Sequence, residues 1–243
     1  MIEATYYMVT GNMEESMIIL TGASRGIGKY IFESFQESGT TVYGTYNTTL
    51  PIPEKEEYFT RVDITRPQEV KSWIESITDK IDHATLINCA GINYTSFAHK
   101  ADINEWFKVV NVNLLGTFNV IHEVLPVMRN EGYGRIINMS SVVAQTLVPG
   151  ASAYAASKAG LWGLVKSIAA ENANKGITIN NINLGYYNIG MIKEVPSEYQ
   201  EVLKQKILTG NFGEPGNIMN AIRFLMDSDY INGTNIDMNG GLY

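Results

Sequence analysis

Met17-Ile18-Ile19-Leu20-Thr21-Gly22-Ala23-Ser24-Arg25-Gly26-Ile27-Gly28 is an apolar run that breaks into a glycine-rich turn and then opens a helix. Ile27, Ile31 and Phe35 continue it at helical spacing. Gly22 permits the tight turn, while Gly26 and Gly28 let backbone amides and the helix start approach a pyrophosphate. A glycine pattern alone also suits an ordinary tight turn. Preceded by a buried-strand run and followed by an amphipathic helix, it marks a dinucleotide site.

Outward from this stretch, strand-like and helical runs alternate. Strands are expected near residues 17–21, 41–45, 58–62, 84–88, 134–139, 177–182 and 235–238, with helices over 67–79, 103–131, 153–173 and 215–227. The alternation predicts an α/β fold: a single-domain, Rossmann-like, doubly wound parallel sheet with helices on both faces. The 243 residues, 45% hydrophobic and 18% charged, suit one globular core. Residues 1–16 read as an N-terminal extension and 17–243 as the dinucleotide-binding and catalytic domain. Ligands of such sheets bind beyond the carboxyl ends of the strands, and Thr21, Asn88 and Ser140 or Ser141 all follow expected strands.

Tyr154 stands four residues before Lys158 in Ala153-Tyr154-Ala155-Ala156-Ser157-Lys158-Ala159-Gly160, so the two share a helix face. A tyrosine loses its proton near pH ~10, and a fixed positive charge nearby pulls that value down toward the working range. Such a phenol can trade protons with a substrate oxygen. Ser141 and Ser140 each offer a hydroxyl able to donate to a carbonyl oxygen as charge develops there.

Thr21 to Gly28, Asn88-Cys89-Ala90-Gly91, Asn113, Ser141 and Tyr154-x-x-x-Lys158 together resemble the short-chain dehydrogenase/reductase family in order and spacing. Gly213-Glu214-Pro215 and the ending Asn239-Gly240-Gly241-Leu242-Tyr243 resemble its 3-oxoacyl-(acyl carrier protein) reductase branch, over about residues 16 to 243. The resemblance implies reduction of a ketone, a 3-oxoacyl thioester or related carbonyl, by hydride transfer with Tyr154 as proton donor. The family spacing selects Ser141 over Ser140. It gives Asn113 a role in holding a water next to Lys158, and gives Lys158 the nicotinamide ribose as well as the tyrosine. Cofactor contacts are implied for Gly22, Ser24, Arg25, Gly26, Ile27 and Gly28, for Tyr46 and Asn47, for Asp63 and Ile64, for Asn88, Ala90 and Gly91, for Tyr154 and Lys158, and for Gly185 and Ile189.

The strand Val42-Tyr43-Gly44-Thr45 leads to Tyr46-Asn47-Thr48-Thr49, with no acid to hold a ribose 2′-hydroxyl. Arg25 in the glycine turn can pair with a 2′-phosphate. NADPH is therefore expected over NADH. The chain departs from the family after the sixth strand, where Leu184 and Ile189 replace a proline and a hydroxyl-bearing threonine. The backbone amide of Ile189 is left as the carboxamide contact, and Tyr186-Tyr187 wall the substrate pocket or pack in the core.

A net charge of −7 and the lack of a basic cluster exclude nucleic acid as a partner. An acidic carrier would also dock weakly, because before the fifth strand only Arg129 and Arg135 remain, with Lys175 further off. No run approaches a membrane span, the first residues lack a secretion pattern, and the single Cys89 suits a reducing compartment, so a cytoplasmic location is expected. Cys89 reads as a small buried residue, and His83, His99 and His122 have no ligand spacing, so no metal site is expected. The small-residue helix from Ala151 to Ala173 and the apolar helix around Phe118 to Val127 resemble the family's subunit contacts, implying a homodimer or homotetramer. An alcohol or sugar dehydrogenase of the same family, or a nucleotide-binding regulatory protein, stands as the alternative.

Overall fold

The computed structural model describes residues 17–51 and 53–242, so the expected extension over 1–16 lies outside the described residues. One seven-stranded sheet has the order β3-β2-β1-β4-β5-β6-β7, every neighbouring pair parallel. The strands are β1 (Ile18–Thr21), β2 (Val42–Tyr46), β3 (Phe59–Arg61), β4 (Thr85–Asn88), β5 (Gly134–Ser141), β6 (Ile177–Leu184) and β7 (Asn235–Met238). Winding reverses between β1 and β4, which opens the crevice where such sheets bind ligands.

The helices are α1 (Gly26–Glu37), α2 (Pro67–Ile77), α3 (Ile103–Val110), α4 (Thr117–Glu131), α5 (Ser152–Asn172), α6 (Ser197–Lys206) and α7 (Pro215–Asp227). Local chemistry sets their ends. Asp102 caps α3 by accepting from the amides of Asn104 and Glu105, Pro67 and Pro215 start α2 and α7, and Gly132 ends α4 at φ +69°. One core lies between the sheet and α2, α4 and α5, built on Ile19, Leu86, Ile136 and Ile179. The other packs Ile18, Leu20, Ile87, Ile137 and Ile182 against α1 and α7. Strands buried on both faces read as unbroken apolar runs, which is why the sequence disclosed them.

Two expectations need correction. The helix expected over 103–131 is interrupted by a π-helical turn at Asn111–Gly116. A side chain at Gly116 would come within 2.8 Å of Ile64, and Asn113 is turned inward and fully buried. Helix α6 was not expected, because its polar sequence buries only Leu203.

Polar bonds also cross the sheet. Asn88 Nδ2 donates to Asn138 Oδ1 (2.9 Å), Asn138 Nδ2 to Asn181 Oδ1 (3.0 Å), and Asn181 Nδ2 to Asn235 Oδ1 (2.8 Å). These residues are register partners on β4, β5, β6 and β7, and Asn88 in turn faces Thr21 on β1. At the opposite edge, buried Arg135 donates to the carbonyls of Gly134, Gly176 and Met226 and stacks on Tyr133. That arginine ties the start of β5 to the end of α7 and to the turn before β6.

Replacing Asn138 by leucine strands a buried donor on Asn88 and a buried acceptor on Asn181. Each unpaired group costs about 1–3 kcal/mol, so Asn138→Leu should lower the unfolding free energy by about 2–5 kcal/mol in urea titrations. A loss within error of zero at unchanged denaturant slope would show that the ladder contributes nothing.

Candidate active site

The candidate site is assembled at the carboxyl edge of the sheet, on the residues that follow β1, β4, β5 and β6. β5 runs two residues further than expected, so that Ser141 ends it opposite Leu184 of β6. Ser140 and Ser141 then separate by the alternation of the strand. Ser140 donates to the Lys158 carbonyl (3.2 Å) and is used up under α5, whereas the Ser141 hydroxyl accepts from the Val143 amide (3.2 Å) and reaches Tyr154. The structure thus distinguishes the two serines as residue type could not.

Tyr154 and Lys158 lie one turn apart on α5, the ammonium 5.6 Å from the centre of the phenol ring. Burial pushes the Tyr154 phenol up to about 12, against the opposing hydrogen bond from Ser141; Cys89 and Tyr186 add smaller upward pushes. The expectation that Lys158 pulls the tyrosine down is therefore corrected. Desolvation of the phenolate outweighs every favourable contact, and the lysine points its Nζ at the Met139 carbonyl, 2.7 Å away. The lysine is itself desolvated, which lowers it to about 8 against a small upward pull from Cys89. In this form Tyr154 holds its proton firmly, the state an acid must start from.

Asn113 sits in the π turn. Its Nδ2 donates to the Ile92 carbonyl (2.9 Å) and Ser157 Oγ (3.1 Å), its Oδ1 accepts from the Ile92 amide (2.9 Å), and its own carbonyl accepts from Thr117 Oγ1 (2.9 Å). The side chain thus clamps the segment after β4 to α5. Asn111 is exposed and points away, as the helical offset implied. Gly91 lies between these groups: a Cβ there would stand 3.3 Å from Asn113 Oδ1 and 3.7 Å from Lys158 Nζ. Thr21 Oγ1 accepts from the amides of Cys89 (3.1 Å) and Ala90 (3.2 Å), fixing that same segment from β1. A Cβ on Gly22 would meet Ala90 at 2.7 Å, so this glycine serves strand-to-strand approach as well as the turn.

At the other end of the crevice, α1 begins with Gly26 at φ +54° and has neither a side-chain cap nor an acidic residue in its first turn. Its open amides and dipole favour an anion. Ser24 is partly buried in the turn and Arg25 is exposed beside it. A Cβ on Gly28 would fall 2.1 Å from the Gly22 carbonyl, which makes that glycine obligatory. Tyr46 ends β2 opposite Arg61 on β3, and Arg61 Nε donates to the Asn47 carbonyl (3.2 Å). Arg61 was missed in the sequence, because only strand register brings it to Tyr46.

Asp63 and Ile64 are turned to structural work. Asp63 Oδ1 accepts from the Thr65 amide (3.0 Å) and hydroxyl (2.7 Å) before α2, and Ile64 is buried against Gly116. Gly185 backs onto Asn239, where a Cβ would stand 2.7 Å away. The Ile189 amide expected to be free donates instead to the Tyr187 carbonyl at 2.7 Å, a correction caused by the tight turn there. Gly190 then rests on the glycine turn, 3.7 Å from Gly26 Cα as measured from its notional Cβ. Tyr187 is a core residue donating to the Met238 carbonyl (3.2 Å), while Tyr186 stands partly open near Tyr154. Among the described residues no cluster of His, Cys, Asp and Glu could hold a metal ion, and no helix is long and apolar enough to cross a membrane.

A family model described as enoyl-(acyl carrier protein) reductase matches residues 22–243, with the glycine turn, Asn113, Ser141, Tyr154 and Lys158 all inside the match. The chain belongs to the short-chain dehydrogenase/reductase family. It is 33% identical to the 3-oxoacyl-[acyl-carrier-protein] reductase of Vibrio cholerae over 241 residues, covering 96% of this chain and 99% of that protein. It is 34% identical to the corresponding reductase of Thermotoga maritima over 242 residues, 95% and 98% of the two chains. In structure it is similar to the ligand-free aldohexose dehydrogenase of Thermoplasma acidophilum, at a TM-score of 0.86 and 27% identity over 95% of this chain and 94% of that one. Membership makes the protein a nicotinamide-dependent oxidoreductase acting between carbonyl and alcohol.

Cys89, expected to be buried, is only partly so, yet its sulfur is desolvated enough to raise the thiol to about 11 while Lys158 pulls the other way. Only the thiolate reacts, so labelling by a disulfide reagent at pH 8 should run at least about a hundredfold slower than for an unperturbed thiol of pKa ~8.5. A rate near that of free cysteine would place the thiol in solvent.

Proposed function

We propose that this protein reduces a ketone to a secondary alcohol with NADPH, the substrate being a 3-oxoacyl thioester or a related carbonyl compound. The observation that carries this reading is the convergence of Ser141, Tyr154 and Lys158 at the carboxyl edge, the serine and lysine buried and the tyrosine partly open. Ser141 donates to the carbonyl oxygen as charge builds there, and Tyr154 delivers the proton that completes the alcohol. Lys158, with one of its three N–H donors on the Met139 carbonyl, keeps two for ribose hydroxyls and stabilises the tyrosinate left behind. Asn113 holds the loop bearing Gly91 against α5, which keeps the space beside Lys158 shaped.

The residues fit a nicotinamide dinucleotide: the α1 start lacks any acid, and Gly91 leaves open the space that a Cβ would fill. When bound, such a cofactor supplies the hydride that side chains cannot. Arg61 faces Tyr46 at the end of β2, Arg25 is exposed in the glycine turn, and no acid follows β2 in Tyr46-Asn47-Thr48-Thr49, which supports a 2′-phosphate over a bare 2′-hydroxyl. Carrier-bound substrate is less favoured, since buried Arg135 is unavailable and Arg129 donates to Glu171 and Asn172. Exposed Leu115 and Phe118, beside α5, support self-association. The likeness to aldohexose dehydrogenase favours a second reading, oxidation of a sugar at the same site. The intact serine, tyrosine and lysine argue against a purely regulatory protein.

Tyr154→Phe removes the transferable proton and little else. It should abolish NADPH oxidation across a panel of ketones and 3-oxoacyl thioesters while leaving NADPH affinity within about twofold; substantial turnover would overturn the assignment. Loss of one charge-assisted contact is worth about 1.5–3 kcal/mol, roughly tenfold to a hundredfold in affinity. Arg25→Ala and Arg61→Ala should each weaken NADPH by that order and leave NADH nearly unchanged in fluorescence titrations. Equal losses for both cofactors would remove the case for the phosphate.

A further inference from the structure

The asparagine ladder has a second rung above it. Two residues nearer the carboxyl edge, Ser140 of β5, Asn183 of β6 and Asp237 of β7 are again register partners and project from the same face of the sheet. Asn183 is buried and paired at both ends of its amide. Its Nδ2 donates to Asp237 Oδ1 (2.7 Å), and its Oδ1 accepts from the indole Nε1 of Trp162 (3.1 Å). An indole only donates and a carboxylate only accepts, so the amide has one way to lie.

The two buried members of this rung grip α5. Ser140 donates to the Lys158 carbonyl (3.2 Å), and Trp162, held by Asn183, stands one turn beyond Lys158 as Tyr154 stands one turn before it. At the outer end Asp237 Oδ1 also accepts from Gln145 Nε2 (3.0 Å). Gln145 closes the short turn Val142–Ala144, and the Val143 amide within that turn donates to the Ser141 hydroxyl (3.2 Å). The rung thus reaches both the helix that carries Tyr154 and the turn that orients Ser141. Gln145 and Asp237 are exposed, so water competes for their bond and it contributes little alone. Asn183 lies away from water and carries the coupling.

On the reductase reading, on which this depends, we infer that Asn183, oriented by Asp237, is a positioning residue: acting through Trp162 and Gln145, it sets Tyr154 on α5 against Ser141 at the end of β5. A misplacement of about 1 Å between reacting groups costs up to about a hundredfold in rate.

The test uses the full chain with NADPH and a panel of ketones. Asn183→Asp sets a carboxylate against a carboxylate and should lower kcat by about tenfold to a hundredfold. KM for NADPH should stay within about threefold, because Lys158 keeps its bond to the Met139 carbonyl. Asn183→Asp combined with Asp237→Asn exchanges amide and carboxylate, so that every donor again meets an acceptor, and kcat should return to within about threefold of wild type. Trp162→Phe leaves the strands untouched and should lower kcat about threefold to tenfold, the loss of one hydrogen bond. With tyrosine isotopically labelled at Cζ, the Tyr154 resonance, assigned by its loss in Tyr154→Phe, reads the Ser141 bond without turnover. It should move in Asn183→Asp as it does in Ser141→Ala, and return in the exchanged pair. Variants that shift only the urea midpoint, with kcat per folded molecule and the Tyr154 resonance unchanged, would overturn the inference, as would a loss that the exchange leaves in place. A wild type that reduces no ketone counts against the reductase reading alone, and the resonance then decides the positioning role.

Discussion

Four asparagines joined side chain to side chain across β4, β5, β6 and β7 set the level from which the rest of this molecule is built. Parallel strands packed by apolar residues could slide against one another with modest loss of burial. An amide ladder admits no such slip, because a displaced register strands buried donors and acceptors. The groups of the crevice follow the ladder closely: Gly91 comes three residues after Asn88, Ser141 three after Asn138 and Tyr186 five after Asn181. Thr21 extends the same level into β1 by holding the Cys89 and Ala90 amides. The geometry of the crevice is thus set by bonds beneath it, in the sheet.

Above that level the dominant force is desolvation. Burial drives Tyr154 toward its neutral form and lowers Lys158 to about 8, which leaves the lysine charged at neutral pH by a narrow margin. Polar groups supplied by Ser141 and the Met139 carbonyl temper this without reversing it. Under the proposed reaction such a site holds its acid protonated before substrate arrives. The π turn at Asn111–Gly116 belongs to the same economy of space, since it turns Asn113 inward where a regular helix would not place it.

The fold was legible because buried parallel strands and amphipathic helices write strong periodic signals, and every expected strand appears within two residues of its place. That Ser141, Tyr154 and Lys158 come together was legible from motif spacing. What escaped depended on register or on burial. Arg61 meets Tyr46 only through strand pairing, and the ladder amides look like ordinary polar interruptions of apolar runs until the strands are aligned. Polar α6 gave no periodic signal, and the π turn has no pattern distinct from α-helix. The Tyr154 shift runs opposite to what the neighbouring charge implies, because a sequence displays that charge but conceals the loss of water.

Arg135 and Lys158 are both buried cations that rest on backbone carbonyls, one at each edge of the sheet. At the amino edge the guanidinium ties the start of β5 to the turn before β6 and to the end of α7. Lys158, at about 8, gives up its proton just above neutrality. The two edges are thus held alike, by a cation on main-chain oxygens, but at the carboxyl edge burial has brought that cation close to losing its charge.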